Sequence, residues 1–328
     1  MKELNIDYKK SGGVSEAEKE VVNYIKNIYS GEIIENSKQI ISPKELDIYI
    51  PEHNLAIEFN GLFWHSTAAL DYTKTSLNAF KKRHLEKTKA CESKNINLLH
   101  IFENEWLDPI KKEIWKSIIR YKILGVKNRY FARKLKIKIL DKNNEEENYL
   151  VTKFFEENHL QGSGAIGPIR IGLFDENNEL ISCMTFAKSR FDKNFDYELI
   201  RFASKKDSSC VGCASKLFKY FVSNFDPKSI VSYANRRWVN KNSNLYSKLG
   251  FTFVAESEPN YFYFRFDIVD EFGLPVLFSR NKFQKHKLKD NKFTKDFYDE
   301  KLSEFDIMTA AGFYRIYDAG QLVFHWKK

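Results

Sequence analysis

Two carboxylates stand out in the stretch Glu45–Gly61, ELDIYIPEHNLAIEFNG. It reads as two short strands around a tight turn at Glu52-His53, which would set Asp47 opposite Glu58, Glu45 opposite Asn60 and Ile50 opposite Leu55. Partners across an antiparallel pair point to the same side of the sheet, with Cβ atoms about 4.5–5.5 Å apart. Leu46, Ile48, Ile50, Leu55, Ile57 and Phe59 would line the other face. Two opposed acids repel unless a positive charge sits between them, and Mg²⁺ is suited to that place. It takes one or two carboxylates and fills its remaining positions with water and phosphate oxygens, the arrangement of metal-assisted phosphodiester hydrolysis. The plain alternative is a half-exposed sheet whose outward face is polar.

The surrounding elements bring further candidates. Ser15-Glu-Ala-Glu18 is a capping-box pattern, and Val21, Val22, Ile25 and Ile28 follow at helical spacing. Glu18 falls on the inward face of that helix, where it caps the helix or reaches the carboxylates. His65, seven residues beyond Glu58, follows Gly61-Leu-Phe-Trp and suits an acid, a base or a phosphate ligand. A helix is predicted over residues 77–93 and a strand over 96–102. His84, on the stripe of Leu77, Phe80, Thr88 and Cys91, reads as a satisfied core histidine.

The ordered series Ser15-x-x-Glu18, Glu45-Leu-Asp-Ile, Ala56-Ile-Glu-Phe-Asn-Gly-Leu-Phe-Trp-His65, His84-Leu-x-Lys-Thr-Lys89 and His100-Ile-Phe-Glu-Asn-Glu-Trp106 resembles the EDxHD homing endonucleases. These phage- and intron-associated enzymes are related to the very-short-patch-repair endonuclease. The resemblance spans about residues 11–106. It implies a PD-(D/E)XK-like core, a mixed sheet flanked by helices, and Mg²⁺-dependent DNA cleavage. It also implies Asp47 as metal ligand, Glu18 as the acid on the first helix and His65 as the active-site histidine. Where the PD-(D/E)XK pattern ends in Lys, this chain has Asn60, an amide that can orient a water or phosphate oxygen but carries no charge.

Residues 150–266 resemble the GNAT acyltransferase fold in the order of their elements: a hairpin over 171–186, Val211-Gly-Cys-Ala-Ser-Lys-Leu-Phe218 opening a helix, and Asn244-Leu-Tyr-Ser-Lys-Leu-Gly-Phe251. The glycine turn at a helix N-terminus is an anion site in that family, but Ser209 stands where its motif begins with Arg or Gln. Tyr246 matches a frequent general acid and reads here as core. Cys210-x-x-Cys213 reads as ordinary thiols rather than a zinc site. A final hairpin is expected over residues 314–326.

Charge separates the two halves. Residues 1–106 hold 14 Lys and Arg against 16 Asp and Glu, and residues 107–328 hold 39 against 28. An acidic pocket with basic flanks suits a nuclease. Residues 127–139, KNRYFARKLKIKI, would form a strand whose Lys134, Lys136 and Lys138 share a face. Together with Arg236, Arg237, Lys282, Lys285 and Lys287 they are the expected DNA contacts. The expected fold is α/β (α+β): a nuclease domain over 1–106, a basic linker over 107–149 and a GNAT-like domain over 150–328. Four scattered cysteines and no long apolar run suit a soluble cytoplasmic protein of a bacterial or phage-infected cell. The expected activity is a Mg²⁺-dependent endonuclease on double-stranded DNA, with Glu18, Asp47, Glu58, Asn60 and His65 in the site and a homodimer as one route to double-strand cleavage. An acyltransferase acting on DNA and a non-catalytic DNA-binding protein are the other readings.

Overall fold

The computed structural model describes residues 15–73, 75–126 and 128–328. The start of the expected nuclease domain, residues 1–14, and Lys127 of the basic stretch lie outside the described residues. The chain is a mixed α/β protein.

Helix α1 (Glu16–Ile28) is capped by Ser15, whose hydroxyl accepts from the Glu18 N–H. It buries Val21, Val22 and Ile25, the stripe that the spacing predicts. Strands β1 (Ile34–Ile41), β2 (Lys44–Ile50), β3 (Leu55–Asn60) and β4 (Asn97–Phe102) form one sheet in that order. The first two pairings are antiparallel, whereas β3 and β4 run parallel, joined by helix α2 (Leu77–Ser93). Strand β1 was not foreseen in the sequence. The β2–β3 register is the expected one, with Ile50 opposite Leu55 and Ile48 opposite Ile57, although the connection is the four-residue loop 51–54 rather than a two-residue turn.

Helix α3 (Pro109–Leu124) starts at Asp108, whose carboxylate accepts from Ile110 N–H and Lys111 N–H. It packs Ile114, Trp115 and Ile119 into the same core as α1. The second half then begins. Its seven-stranded sheet runs β12-β16-β11-β9-β8-β7-β6. The strands are β6 (Lys136–Ile139), β7 (Ile169–Phe174), β8 (Leu180–Lys188), β9 (Tyr197–Ser204), β11 (Ser229–Asn235), β12 (Thr252–Glu256) and β16 (Gln321–Lys327). Strand β5 (Asn128–Phe131) pairs separately with β10 (Ser208–Val211). Helices α4 (Glu145–Asn158) and α5 (Cys213–Phe225) cover the large sheet.

The ending differs from the expected hairpin. Strand β15 (Tyr314–Tyr317) joins β13 (Tyr261–Phe264) and β14 (Phe278–Ser279) in a third sheet, while β16 enters the large one. The segment between them crosses from sheet to sheet, with the Asp318 N–H bound to the Asn260 carbonyl. Gly320, at φ +79°, passes where a Cβ would lie 2.5 Å from the Ser257 carbonyl oxygen. Among the described residues, no helix is long and apolar enough to cross a membrane.

Candidate active site

Strand β2 changes course at Asp47. Ile48, Ile50, Leu55, Ile57 and Phe59 face α1, but Leu46 packs into the core on the opposite side with Ala56, Cys91 and Leu98. The expected single apolar face is therefore broken at Leu46. Its neighbour Asp47 accepts the Phe59 N–H at 2.7 Å, a place that a backbone carbonyl of a regular ladder would fill. The break brings Asp47 within the field of both Glu58 on β3 and Glu18 on α1.

The acids sit in an unbalanced environment. Burial, then the neighbouring Glu58, pushes Asp47 up to about 8. Burial, then Asp47, pushes Glu18 up to about 7. Glu58 is buried and raised for the same first reason, with Lys87 pulling the other way. Its Oε1 is in contact with the ammonium of Lys87, while its Oε2 is buried without a hydrogen-bond partner. Among the described residues, no group of three or more His, Cys, Asp or Glu side chains is placed to hold a metal ion. Mg²⁺ requires fewer, and the hard oxygens of Asp47 and Glu58, one of them orphaned, fit that ion.

Lys87 was not singled out from the sequence. It lies on α2, three residues after His84 on the buried stripe with Phe80, Thr88 and Cys91. A lysine on an otherwise apolar and histidine-bearing stripe is the signal that marks it, since lysine is seldom buried without a partner. The cation absent from position 60 thus arrives from a helix.

Asn60 is displaced from its expected role. Fully buried between β4 and α2, its amide group donates to the carbonyls of Glu58 and Ile101, both at 3.3 Å, and lies 3.5 Å from His100 Nδ1. Its Nδ2 thus ties β3 to β4 and His100, while its Oδ1 is buried without a partner. Glu45, its expected partner, turns instead to Lys38.

His65 belongs to a defined chain of rings. Tyr317, from the second half, offers its carbonyl 2.7 Å from His84 Nδ1, and His84 Nε2 lies 3.1 Å from His65 Nδ1. A carbonyl only accepts, so His84 carries its proton on Nδ1. Burial depresses His84 to about 3, so its Nε2 is a bare acceptor and His65 must donate through Nδ1. His65 is itself held neutral, by burial and then by the charge of Arg83, which leaves its Nε2 as a free lone pair. His65 is therefore presented as a base or ligand rather than an acid. The loop carrying it is fixed by Glu103, which accepts the Leu62 N–H at 2.8 Å.

The expected DNA contacts divide. Lys134, Lys136, Lys138, Lys282, Lys285 and Lys287 are exposed, and Lys138 pairs with Glu147 at 2.6 Å. Lys134 ends a helical turn before β6, so the three alternating lysines do not share one strand face. Arg236 and Arg237 are not DNA contacts. Arg236 is fully buried between Glu92 at 2.5 Å and Glu256 at 3.0 Å. Arg237 grips both oxygens of Glu105, at 2.9 and 2.8 Å, over the Phe102 ring. Both arginines join the two halves of the molecule.

In the second half, β9 and β11 pair over only three residues each, Tyr197–Leu199 with Ile230–Ser232. A cavity of about 600 Å³ opens beside the end of β9, lined by Ser204, Ser209, Gly212 and Lys248, with α3 on its other side. Gly212, at φ +77°, begins α5, and Cys210 and Cys213 are joined there as a disulfide rather than left as thiols. Tyr246 packs on Phe324 with ring centroids 4.7 Å apart, as core.

No protein-family model matches the chain, and no curated protein matches it. Among solved structures, it is similar to one described as histone acetyltransferase HPA2 and related acetyltransferase from Corynebacterium glutamicum. That similarity has 14% identity, covers 44% of this chain and 77% of that one, and gives a TM-score of 0.24.

Proposed function

We propose that this chain is a Mg²⁺-dependent DNA endonuclease of the homing type, hydrolysing phosphodiester bonds with its first half. The observation that carries this reading is the acid cluster: Asp47 on β2 raised by burial and by Glu58 on β3, Glu18 on α1 raised by burial and by Asp47, one oxygen of Glu58 unpartnered, and one buried lysine against it. Strongly raised carboxylates with an identifiable cause mark functional sites more often than structural ones.

Asp47 and Glu58 would hold the ion. Bound there, Mg²⁺ stabilises charge on the phosphate and makes water more acidic. His65 Nε2 accepts the proton of the attacking water, its tautomer set by His84. Lys87 places a positive charge where negative charge grows on the phosphate. Glu18, raised to about 7, holds or releases a proton near neutral pH. The exposed lysines neutralise backbone phosphates of double-stranded DNA. One site per chain cuts one strand per encounter, so a double-strand break needs a homodimer or a second visit.

Conversion of supercoiled plasmid and phage genomic DNA tests this directly, with Mg²⁺, with EDTA, and with Asp47→Asn and Glu58→Gln proteins. Cleavage should require the metal and fall about 10²–10³-fold in either variant. Undiminished cleavage by folded variants overturns the assignment.

A second reading rests on the cavity beside the end of β9, where Gly212 at the N-terminus of α5 could offer backbone N–H groups to the phosphates of an acyl donor. Calorimetry with acetyl-CoA decides it. Heat of binding that is lost on replacing Gly212 supports an acyltransferase, and no heat removes that reading.

A further inference from the structure

A second cavity, of about 980 Å³, lies between the first turn of α2 and the junction of the second and third sheets. Nothing in the cleavage chemistry uses it. Its walls combine an exposed aromatic ring, a guanidinium without a carboxylate partner among the described residues, and one unused amide acceptor.

Phe191 stands at the rim, 68% exposed, supported edge-on by Tyr233 with ring centroids 5.9 Å apart. The Arg190 guanidinium lies over the same ring, 5.3 Å from its centroid, and a large exposed ring flanked by a cation is a surface on which a base can stack. Across the cavity, Tyr261 carries two guanidiniums over its ring, Arg315 at 4.2 Å and Arg280 at 5.2 Å. Arg315 is already balanced by Glu304 at 3.3 Å. Arg280 is exposed and, among the described residues, has no carboxylate partner. The side-chain carbonyl of Asn260 is shielded from solvent with no donor to it. A flat ring, a guanidinium for a phosphate and an acceptor for a ring N–H match the base and the phosphate of a nucleotide whose base is not paired.

The place of the cavity within the fold adds to this. Lys81 in its wall is six residues before Lys87 on α2, about 9 Å along the axis. Tyr317, which also lines the cavity, is the residue whose carbonyl fixes His84.

We propose that this cavity binds an unpaired segment of DNA beside the cleavage site, stacking a base on Phe191 and holding its phosphate through Arg280. The placement rests on the endonuclease reading, but the binding does not need cleavage.

Fluorescence anisotropy in EDTA tests it on the full chain, using a labelled single-stranded dT dodecamer, a duplex of the same length, and dTMP as competitor. The single strand should bind at least fivefold tighter than the duplex. Phe191→Ala should weaken the single strand about tenfold and leave the duplex unchanged. Its side chain is exposed, so folding is not at stake. Arg280→Gln should also weaken the single strand and flatten the log-affinity against log-salt slope by about 0.7. Equal affinities for both DNAs, or wild-type binding by both variants, overturn the proposal. So does competition by dTMP as effective as by the unlabelled oligonucleotide, which would make this a mononucleotide site. Asp47→Asn separates the two readings. Binding that follows these rules without any Asp47-dependent cleavage upholds the cavity and sinks the nuclease, and cleavage without them does the reverse.

Discussion

Two charge clusters, one inside the first half of this protein and one where the two halves join, are built on opposite rules. Around Arg236 and Arg237 each charged group has an opposite partner, although Glu92 Oε1, Arg236 Nε and Arg237 Nε are buried without a hydrogen bond. Glu256 receives Arg236, Lys241 and Lys89, and although burial alone would raise it, those partners draw it down to about 2. Around Asp47, two acids share Lys87, with the charge of Arg83 also acting on Glu58, and burial followed by repulsion from Glu58 drives Asp47 up to about 8. Balanced clusters fix how elements dock. An unbalanced cluster is a cost that folding alone does not justify, and it becomes sensible when a cation completes it.

The sharpest way to break this contrast is to damage the balanced cluster. Glu105→Gln leaves Arg237 buried with half its bidentate partner, and stability should fall by about 3–5 kcal/mol in urea unfolding, with no recovery on adding Mg²⁺. A loss below 1 kcal/mol would mean that this pair does not hold the halves together.

Lys87→Met attacks the other cluster. Cleavage should drop about 10²–10³-fold, and a Glu58→Gln, Lys87→Met double variant should regain stability without regaining activity. Recovered activity in the double variant would make Lys87 merely a counter-charge for Glu58.

A smaller effect has a definite pH sign. The carboxyl of Asp47 is held at about 8 against its ordinary 3.8, so the folded chain keeps a proton that the unfolded chain loses between those values. Its contribution is present in full below about pH 4 and is lost as pH rises to about 8. Asp47→Asn should therefore stabilise the metal-free protein at pH 8.5, by on the order of 1–2 kcal/mol after screening, and leave it unchanged at pH 4. Mg²⁺ should raise the Tm of the wild type more at pH 8.5 than at pH 6, and should not do so in the variant. Equal shifts at both pH values would count against a metal on these carboxylates.

The smallest effect concerns the histidine chain. His84→Leu removes the acceptor that sets the His65 tautomer, and cleavage should fall about tenfold, with His84→Gln retaining more of the rate because its amide still accepts. Identical rates in the two variants would reduce His84 to packing.

Local pattern was sufficient for the elements near the carboxylates. The apolar alternation around residues 51–54 set the β2–β3 register, because a one-residue slip would exchange the apolar face packed on α1 for the face carrying Glu58 and Asn60. The stripe Val21, Val22 and Ile25 placed Glu18 on the inner side of α1 for the same reason. Charge type could not tell which basic residues meet solvent. Arg236-Arg237-Trp238 and Arg280-Asn-Lys282 look alike in sequence, yet one pair of arginines is sealed against glutamates from 132 and 144 residues away, and the other segment is exposed. The same holds for Lys87, whose partner is 29 residues distant, and for Tyr317, which reaches His84 across 233. The sequence by itself determined period and register around the carboxylates, since these follow from neighbours along one strand or helix. Only the tertiary structure decided which charges are balanced, because burial and long-range pairing set that balance.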